Sequence, residues 1–484
     1  MAGVVEDGVR VFKGLPFAAP PVGELRWRPP QPVVPWAGVR RADTFGPQCP
    51  QLPYPAGSPY TFDRAPTSED CLYLNVWTTA GAHERQPVMV WVHGGAWTRG
   101  SASQTTGGAL SYDGAALARK GVVVVTVNYR LGPFGFFAHP DLTAESPQRS
   151  SGNYAILDHI AALEWVRDNI AAFGGNPANV TVFGQSAGAW SVNATQATPL
   201  ARGLFHRVIG ESGAQLSGTQ TLAAAEQNGA DLATAVGADS LDALRAVPAE
   251  RLLLVPAFRA WLNVDGWVLP DEVQTLFAQR RHSHVPVLVG SNANEWTTLA
   301  DPATFPKTME AYRRAIEMFF PGMAEHFDGV YPVTHEADIP GALQGLWRDT
   351  WFTLPMRTWA RRATAGGQPA YLYQFTHVPP SPDASVWGAY HVSEVQYVFG
   401  NLNVPTFRYT DTDRALSETM SSYWVNFATH GDPNGAGLPR WTPYDREAEP
   451  YLDLGATVQP RHRLLKAQLD FLERAQQRAS PASG

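Results

Sequence analysis

The chain has 484 residues, of which 37 are Lys or Arg and 44 are Asp or Glu, so its formal net charge at pH 7 is −7. This mildly acidic balance lacks the basic surface that nucleic acids and anionic lipids require, so we expect neither as a partner. With 44% hydrophobic and 17% charged residues, the composition is that of a globular protein with a large core. No apolar run reaches the roughly 18 residues that a membrane span needs.

Apolar strand-like runs alternate with stretches of helical periodicity, which predicts βαβ units around a mainly parallel sheet. An amphipathic helix is predicted over 153–170, where apolar side chains recur every three to four residues. Strands are predicted at 87–92, 121–127, 179–183, 286–290 and 370–375. The expected fold class is therefore α/β, with helices flanking a central sheet.

The chain contains no internal repeat and no low-complexity linker, which favours one catalytic domain over residues 1–475. Residues 216–281 are rich in Ala, Leu and Glu and predict helices inserted between strands. A second helical insertion is expected at about 300–365. Residues 476–484 are expected to form a flexible tail.

The strand predicted at 179–183 leads into a pentapeptide of the pattern G-x-S-x-G, running from Gly184 to Gly188 around Ser186. The pattern is short, and its weight comes from its position between a strand and a helical stretch. A serine on such a tight turn has a strained backbone and projects its hydroxyl above the sheet, near a helix N-terminus. Ser186 is therefore a candidate nucleophile, and the alternative is an ordinary turn serine.

A serine hydroxyl needs a base, and the base needs an orienting acid. His391 is the best base among 13 histidines because it follows the last predicted strand through a long loop. Glu295 follows the strand at 286–290 and gives the chain order serine, acid, histidine. The open alternatives are His326, His335, His377 and His430 for the base, Asp271 and Asp301 for the acid, and a solvated loop position for Glu295.

His93, Gly94, Gly95 and Ala96 follow the first predicted strand, where small residues let backbone N–H groups converge on one point. With the amide of Ala187, such donors would stabilise the negative oxygen of a tetrahedral intermediate. The alternative is an ordinary glycine-rich turn.

The sequence has two cysteines, Cys49 and Cys71, which are either buried thiols or one disulfide. The first seven residues lack the basic and apolar regions of a signal peptide. A disulfide would favour a secreted or periplasmic location and free thiols a cytoplasmic one, and composition leaves both open.

Together these segments resemble the type-B carboxylesterases, the family that also holds the cholinesterases. The resemblance covers nearly the whole chain through motifs at 12–23, 68–76, 93–96, 128–132, 173–188, 264–266, 290–296, 388–394 and 427–433. It implies an α/β-hydrolase fold, with Ser186 as nucleophile, Glu295 as acid and His391 as base. It also implies oxyanion donors at Gly95, Ala96 and Ala187, a Cys49–Cys71 disulfide, and a supporting hydroxyl at Ser212.

Two departures from the family pattern bear on the substrate. Gln185 stands where the family usually has Glu, and the segment between the cysteines has Tyr54, Tyr60 and Phe62 but no Trp. Both changes weaken attraction for a quaternary ammonium, so a choline ester is not expected. Trp97 and Trp190 flank the proposed site and are candidate pocket walls.

The resulting expectation is a monomeric serine hydrolase that acts on small carboxylic esters. No metal or other cofactor is expected, since the sequence has no convincing His/Cys ligand cluster. A lipase or amidase using the same residues, and a non-catalytic binding protein on the same scaffold, remain as alternatives.

Overall fold

The computed structural model describes residues 1–55, 58–81, 83–216 and 218–479. Within these ranges the main sheet has eleven strands, β1 to β11 in chain order. Their bounds are Val4–Glu6, Val9–Pro16, Tyr73–Thr78, Gln86–Val92, Val123–Val127, Gly175–Gln185, Arg207–Glu211, Val287–Asn292, Ala370–Phe375, Pro450–Leu454 and Val458–His462.

The strands are ordered β1-β2-β3-β5-β4-β6-β7-β8-β9-β10-β11 across the sheet. The strands from β5 to β10 in this order pair in parallel, whereas β1, β2 and β3 at one edge and β11 at the other pair antiparallel. The α/β prediction with a mostly parallel sheet is therefore confirmed. Each of the five predicted strands is present, and β6 is longer than expected because it begins at Gly175 and continues to Gln185.

Helices connect the strands on both faces, as crossovers between parallel strands require. The α-helices α1 to α17 are Ala115–Arg119, Gly132–Phe136, Pro140–Glu145, Tyr154–Asn169, Ala187–Ala197, Leu222–Val236, Leu241–Ala246, Ala249–Leu253, Val273–Ala278, Met309–Phe319, Ala324–Asp328, Ile339–Arg348, Leu354–Ala365, Ala384–Trp387, Val395–Phe399, Asp411–His430 and Lys466–Ala479. A π-helical turn, Asp349–Thr353, joins α12 to α13. The helix predicted at 153–170 is α4.

The sheet separates two hydrophobic cores, because successive side chains of a strand point to opposite faces. On β4, Val88, Val90 and Val92 belong to the core that contains α4, and Met89 and Trp91 belong to the core that contains α16. A third cluster joins α10, α11 and α12 to α17 through residues such as Phe327, Leu346 and Phe471.

The last strand is followed by a helix, α17, that packs against the insertion at 300–365. Helix α17 continues to Ala479, so residues 476–479 are helical, and residues 480–484 lie outside the described residues. Arg357 of α13 pairs with Asp470 at 2.8 Å and with Glu473 at 3.1 Å, which fixes α17 against the insertion at 300–365. In the described part of the chain, no helix has the length and apolar character of a membrane span.

Candidate active site

Ser186 lies at the turn between β6 and α5, with φ 56° and ψ −126°. A non-glycine residue in this region of backbone space is strained and needs a tightly packed surrounding. Here the surrounding depends on two glycines: a β-carbon on Gly184 would stand 2.7 Å from the carbonyl oxygen of Val92, and one on Gly188 only 2.0 Å from it. The G-x-S-x-G pattern is therefore explained by the close approach of β6, α5 and the end of β4.

The segment after β4 folds over this turn. Gly95, Ala96 and Trp97 all have positive φ, and a β-carbon on Gly94 would stand 3.0 Å from Cβ of Ser186. Ala187 begins α5, so its amide lies at the positive end of a helix dipole. The three amides predicted to stabilise an oxyanion thus belong to two backbone segments that meet at Ser186.

The contacts between His93 and Tyr129 hold the start of the loop after β4 in place. The carbonyl of His93 accepts a hydrogen bond from the Tyr129 hydroxyl at 2.8 Å, and the two rings stack with centroids 4.4 Å apart. Burial lowers the pKa of His93 to about 4, so its ring is neutral at pH 7. Its Nδ1 lies 2.8 Å from the carbonyl of Gly94, which identifies Nδ1 as the protonated nitrogen.

His391 and Glu295 form a fully buried pair, with Nδ1 of the imidazole 2.5 Å from Oε2 of the carboxylate. The second oxygen of Glu295 accepts the backbone N–H of Asn292 at 2.7 Å. Glu295 therefore holds the imidazole with its proton on Nδ1, which leaves Nε2 free to accept another proton.

Gln185 connects this pair to the serine turn. Its side-chain nitrogen lies 3.4 Å from Nδ1 and 3.3 Å from Nε2 of His391, so it contacts the imidazole at both nitrogens. The rings of Phe352 and Tyr60 lie 4.9 Å and 6.3 Å from the same imidazole. The residue immediately before Ser186 is thus in contact with His391, 206 positions further along the chain.

The other candidates for base and acid lie elsewhere. His326, His335 and His430 are exposed, and His377 bonds to Asp413 at 2.8 Å. Asp271 pairs with Arg281 on the surface at 3.3 Å, and Asp301 caps a short helical turn by accepting the amide of Ala303.

Ser212 is fully buried at the end of β7 and has φ 56°. The carbonyl of its neighbour Glu211 accepts the backbone N–H of Ser186 at 2.8 Å, so the two turns are directly bonded. The Ser212 hydroxyl has no hydrogen-bond partner within the described part of the chain.

A cavity of about 340 Å³ opens on the Gln185 side of the site. Cys49 and Cys71 are joined by a disulfide, with their Cα atoms 5.0 Å apart, and the loop that it closes contributes Tyr54, Tyr60 and Phe62 to the cavity wall. The remaining wall includes Gly94, Gly95, Tyr112, Trp387, Tyr390 and Phe407.

Three tryptophans, Trp190, Trp261 and Trp351, form an aromatic wall on the α5 side of the site. Of these, only Trp190 was identified from the sequence. Trp190 lies one turn after Ser186, and its ring centroid is 5.7 Å from Trp261 and 6.1 Å from Trp351. Trp97 is fully buried, packs against Trp190 and donates to Ser191 at 2.8 Å. Trp261 and Trp351 lie in the two insertions, which carry no motif that links them to the serine.

Among the described residues, no cluster of three or more His, Cys, Asp or Glu side chains has the arrangement of a metal site.

Residues 2–472 match the Carboxylesterase family. The chain is 39% identical to a fumonisin B1 esterase of Sphingopyxis macrogoltabida, over 92% of this chain and 83% of that protein. It is 35% identical to a para-nitrobenzyl esterase of Bacillus subtilis, over 94% of this chain and 93% of that protein. Its fold matches the structure of a thermophilic PNB esterase with a TM-score of 0.85, at 34% identity and over 97% of both chains.

The chain therefore belongs to the carboxylesterase family and has the α/β-hydrolase fold. It is a serine hydrolase that cleaves carboxylic esters.

Proposed function

We propose that this carboxylesterase cleaves its substrate through an acyl-enzyme on Ser186. His391 Nε2 takes the hydroxyl proton of Ser186 while Oγ bonds to the acyl carbon. The tetrahedral intermediate then expels the alcohol, which leaves with the proton from His391. A water molecule repeats the two steps on the acyl-enzyme, releases the acid and restores the serine hydroxyl.

Glu295 remains ionised throughout this cycle and stabilises the imidazolium that forms at His391. The observation that carries the proposal is the buried 2.5 Å contact between these two side chains, on a ring that is also touched by the residue next to Ser186. A buried carboxylate with one oxygen on a backbone amide and the other on an imidazole is in the arrangement that base catalysis needs.

The negative oxygen of the intermediate is assigned to the amides of Gly95, Ala96 and Ala187. The positive φ values of Gly95 and Ala96 turn the backbone sharply at this point, and Ala187 is at the N-terminus of α5. Backbone donors fixed in this way do not have to reorient when charge develops, which is the main source of their effect on rate. The Ser212 hydroxyl is assigned a supporting role beside the Ser186 backbone.

The two sides of the site are assigned to the two halves of the ester. The 340 Å³ cavity contacts Gln185 and therefore lies on the side of His391, which protonates the leaving alcohol. The aromatic wall of Trp190, Trp261 and Trp351 then takes the acyl group.

Covalent labelling tests the nucleophile directly. A p-nitrophenyl phosphonate is expected to add to the peptide that contains Ser186 and to abolish ester hydrolysis at one label per chain. Ser186→Ala is expected to lose both the label and several orders of magnitude in kcat. Ser146→Ala, which changes a serine in the loop after α3, serves as the matched control and keeps both. Labelling of another peptide would overturn the assignment.

A series of p-nitrophenyl esters of increasing acyl length separates the alternatives. Turnover that is highest with short acids supports an esterase, and turnover that rises with chain length supports a lipase. Absence of turnover supports a binding protein, and cleavage of matched anilides supports an amidase.

We further propose that the chain forms a single catalytic domain, in which 216–281 and 300–365 form walls of the site. We also propose that the protein is a monomer, which size-exclusion chromatography with light scattering tests.

A further inference from the structure

Two buried glutamates that the proposed mechanism does not use lie behind the Glu295–His391 pair. Glu211 accepts the indole N–H of Trp424 at 2.8 Å through Oε1, and Glu394 accepts the side-chain N–H of Asn292 at 2.5 Å through Oε2. Both residues are fully buried, and neither Glu211 Oε2 nor Glu394 Oε1 has a hydrogen-bond donor within the described part of the chain.

Strand register places the two carboxyl groups over the same patch of sheet. Glu211 of β7 is paired with Gly290 of β8, and paired residues share one face of the sheet. Asn292 lies two residues after Gly290, so the Asn292 side chain is on that same face as the Glu211 side chain. Glu394 is bonded to that Asn292 side chain. A β-carbon on Gly290 would stand 2.3 Å from the ring of Tyr373, so the tyrosine fills the space that the glycine leaves in this row.

Asn292 links this pair to the proposed catalytic acid. Its backbone N–H donates to Glu295 at 2.7 Å, while its side chain donates to Glu394 at 2.5 Å. The carboxyl groups of Glu295 and Glu394 are therefore bonded to one asparagine, and Glu211 lies beside Gly290 on the neighbouring strand, in a region without solvent. Carboxylates this close in a buried site cannot all be ionised, because each added charge is poorly solvated and repelled by the others.

The number of hydrogen-bond donors at each of the three carboxyl groups determines which one stays ionised. Glu295 has two, the Asn292 amide and the His391 imidazole, whereas Glu211 and Glu394 each have an oxygen without any. Burial raises the pKa of Glu211 to about 8. Burial, followed by the charges of Glu211 and Glu295, raises the pKa of Glu394 well above its ordinary value despite the bond from Asn292.

The surrounding titratable groups do not supply a compensating charge to the pair. Tyr112 and Tyr373 face both glutamates and Tyr390 faces Glu394, and burial raises the pKa of each phenol, so all three are neutral at pH 7. Arg348 faces Glu295 and is paired with Asp349 at 2.7 Å.

We propose that Glu211 and Glu394 hold one proton between them at neutral pH, as a positioning pair that leaves Glu295 as the ionised carboxylate at His391. This inference rests on the proposed function, in which Glu295 is the acid of the site. The shared proton limits the pair to one negative charge and supplies a donor where both free oxygens lack one.

The charge of the pair is read from the acid limb of the pH profile of kcat/KM, where His391 becomes protonated. Glu211→Gln replaces the carboxyl that burial keeps protonated up to about pH 8 and leaves the charge on Glu394, so the midpoint of this limb stays in place. Glu394→Gln leaves only Glu211, which burial keeps protonated, so this variant and the double variant remove the charge, destabilise the imidazolium and move the midpoint to lower pH by about half a unit or more. Glu449→Gln, which alters a buried glutamate paired with Arg361, is the matched control and leaves the midpoint in place.

Other patterns overturn the proposal. A downward shift in Glu211→Gln means that the charge of the pair is not held by Glu394 beside a protonated Glu211. An unmoved midpoint in the double variant means that the pair carried no charge.

Infrared spectroscopy of the wild-type protein tests the proton without using activity. A protonated carboxyl gives a C=O band above the amide I region, sensitive to D₂O, that is expected at neutral pH and disappears as the pH rises through about 8. The band is absent from Glu211→Gln and kept in Glu394→Gln, where these variants fold, and its absence from the wild type would refute the shared proton. Because this band does not depend on Ser186, its presence in a protein without esterase turnover would count against the proposed function alone.

Discussion

A β-carbon on Gly94 would stand 3.0 Å from Cβ of Ser186 and 2.8 Å from the carbonyl oxygen of Gln185. The loop after β4 therefore reaches the serine turn only because this position has no side chain. The two oxyanion donors proposed from this loop, the amides of Gly95 and Ala96, depend on that approach.

We predict that Gly94→Ala lowers kcat/KM at least about tenfold, because the loop must retreat and its amides move away from the developing charge. The overpacking also costs about 1–3 kcal/mol of unfolding free energy. Ester kinetics and urea denaturation measure the two effects. Gly341→Ala is the matched control, since a β-carbon there meets nothing within 4 Å, and it leaves activity unchanged. Wild-type kinetics in Gly94→Ala would contradict the role of this loop.

The contact between Glu295 and His391 gives a second prediction. Glu295→Gln preserves the shape of the side chain but places an N–H donor against Nδ1, which favours the imidazole tautomer that cannot accept the serine proton. We expect kcat to fall roughly 10³-fold with little change in KM. Glu310→Gln, on an exposed glutamate of α10, is expected to have no effect. A Glu295→Gln enzyme with more than about a tenth of wild-type kcat would rule out this role.

Features that depend on neighbouring residues could be predicted from the sequence, whereas contacts between distant residues were harder to predict. The turn at Ser186 depends on the two glycines beside it, so a strand, a pentapeptide and a helical stretch were enough to locate it. The His391 contact with Glu295 joins residues 96 positions apart, and the residues alone left four other histidines open. The fold class was predictable from the alternation of apolar strands and helices, which depends on short segments.

Features that depend on register were not predictable. Glu211 and Glu394 are 183 residues apart and come to the same face only because β7 pairs with β8 at Gly290. The burial of Trp97 depends on Trp190 and Trp261 covering it, and Trp261 comes from an insertion without a recognisable motif. Helix α17 is held against α13 by ion pairs of Arg357 with Asp470 and of Arg361 with Glu473, which join residues 113 and 112 positions apart.

The aromatic wall gives a prediction about substrate preference. Trp351 is 38% exposed, and its ring packs against Trp190 and Trp261, so it can stack on a flat acyl group. We expect Trp351→Ala to raise KM for a p-nitrophenyl naphthoate about tenfold and to leave KM for the acetate unchanged. Trp36→Ala removes an equally exposed indole that lies against Arg40, and it affects neither substrate. An equal rise in KM for both esters would indicate a general loss of structure.

Asp413 gives the final prediction, which concerns stability. It lies in the first turn of α16 and accepts from Thr410 at 2.6 and 2.7 Å, from Tyr397 at 2.7 Å and from His377 at 2.8 Å. Burial alone would raise its pKa, but these bonds favour the ionised form and hold the pKa at about 2, against 3.8 for an ordinary Asp.

A carboxylate with a lowered pKa adds stability that is fully present above the ordinary value of 3.8 and is lost as the pH falls towards about 2. Asp413→Asn is therefore expected to lower the unfolding free energy by about 1–2 kcal/mol at neutral pH. The difference from the wild type, measured by urea denaturation, stays constant down to about pH 4 and shrinks below it. Asp411→Asn, on an almost fully exposed residue of the same helix, changes stability by less than about 0.5 kcal/mol. A difference between Asp413→Asn and the wild type that persists unchanged at about pH 2 would show that the carboxylate charge is not its source.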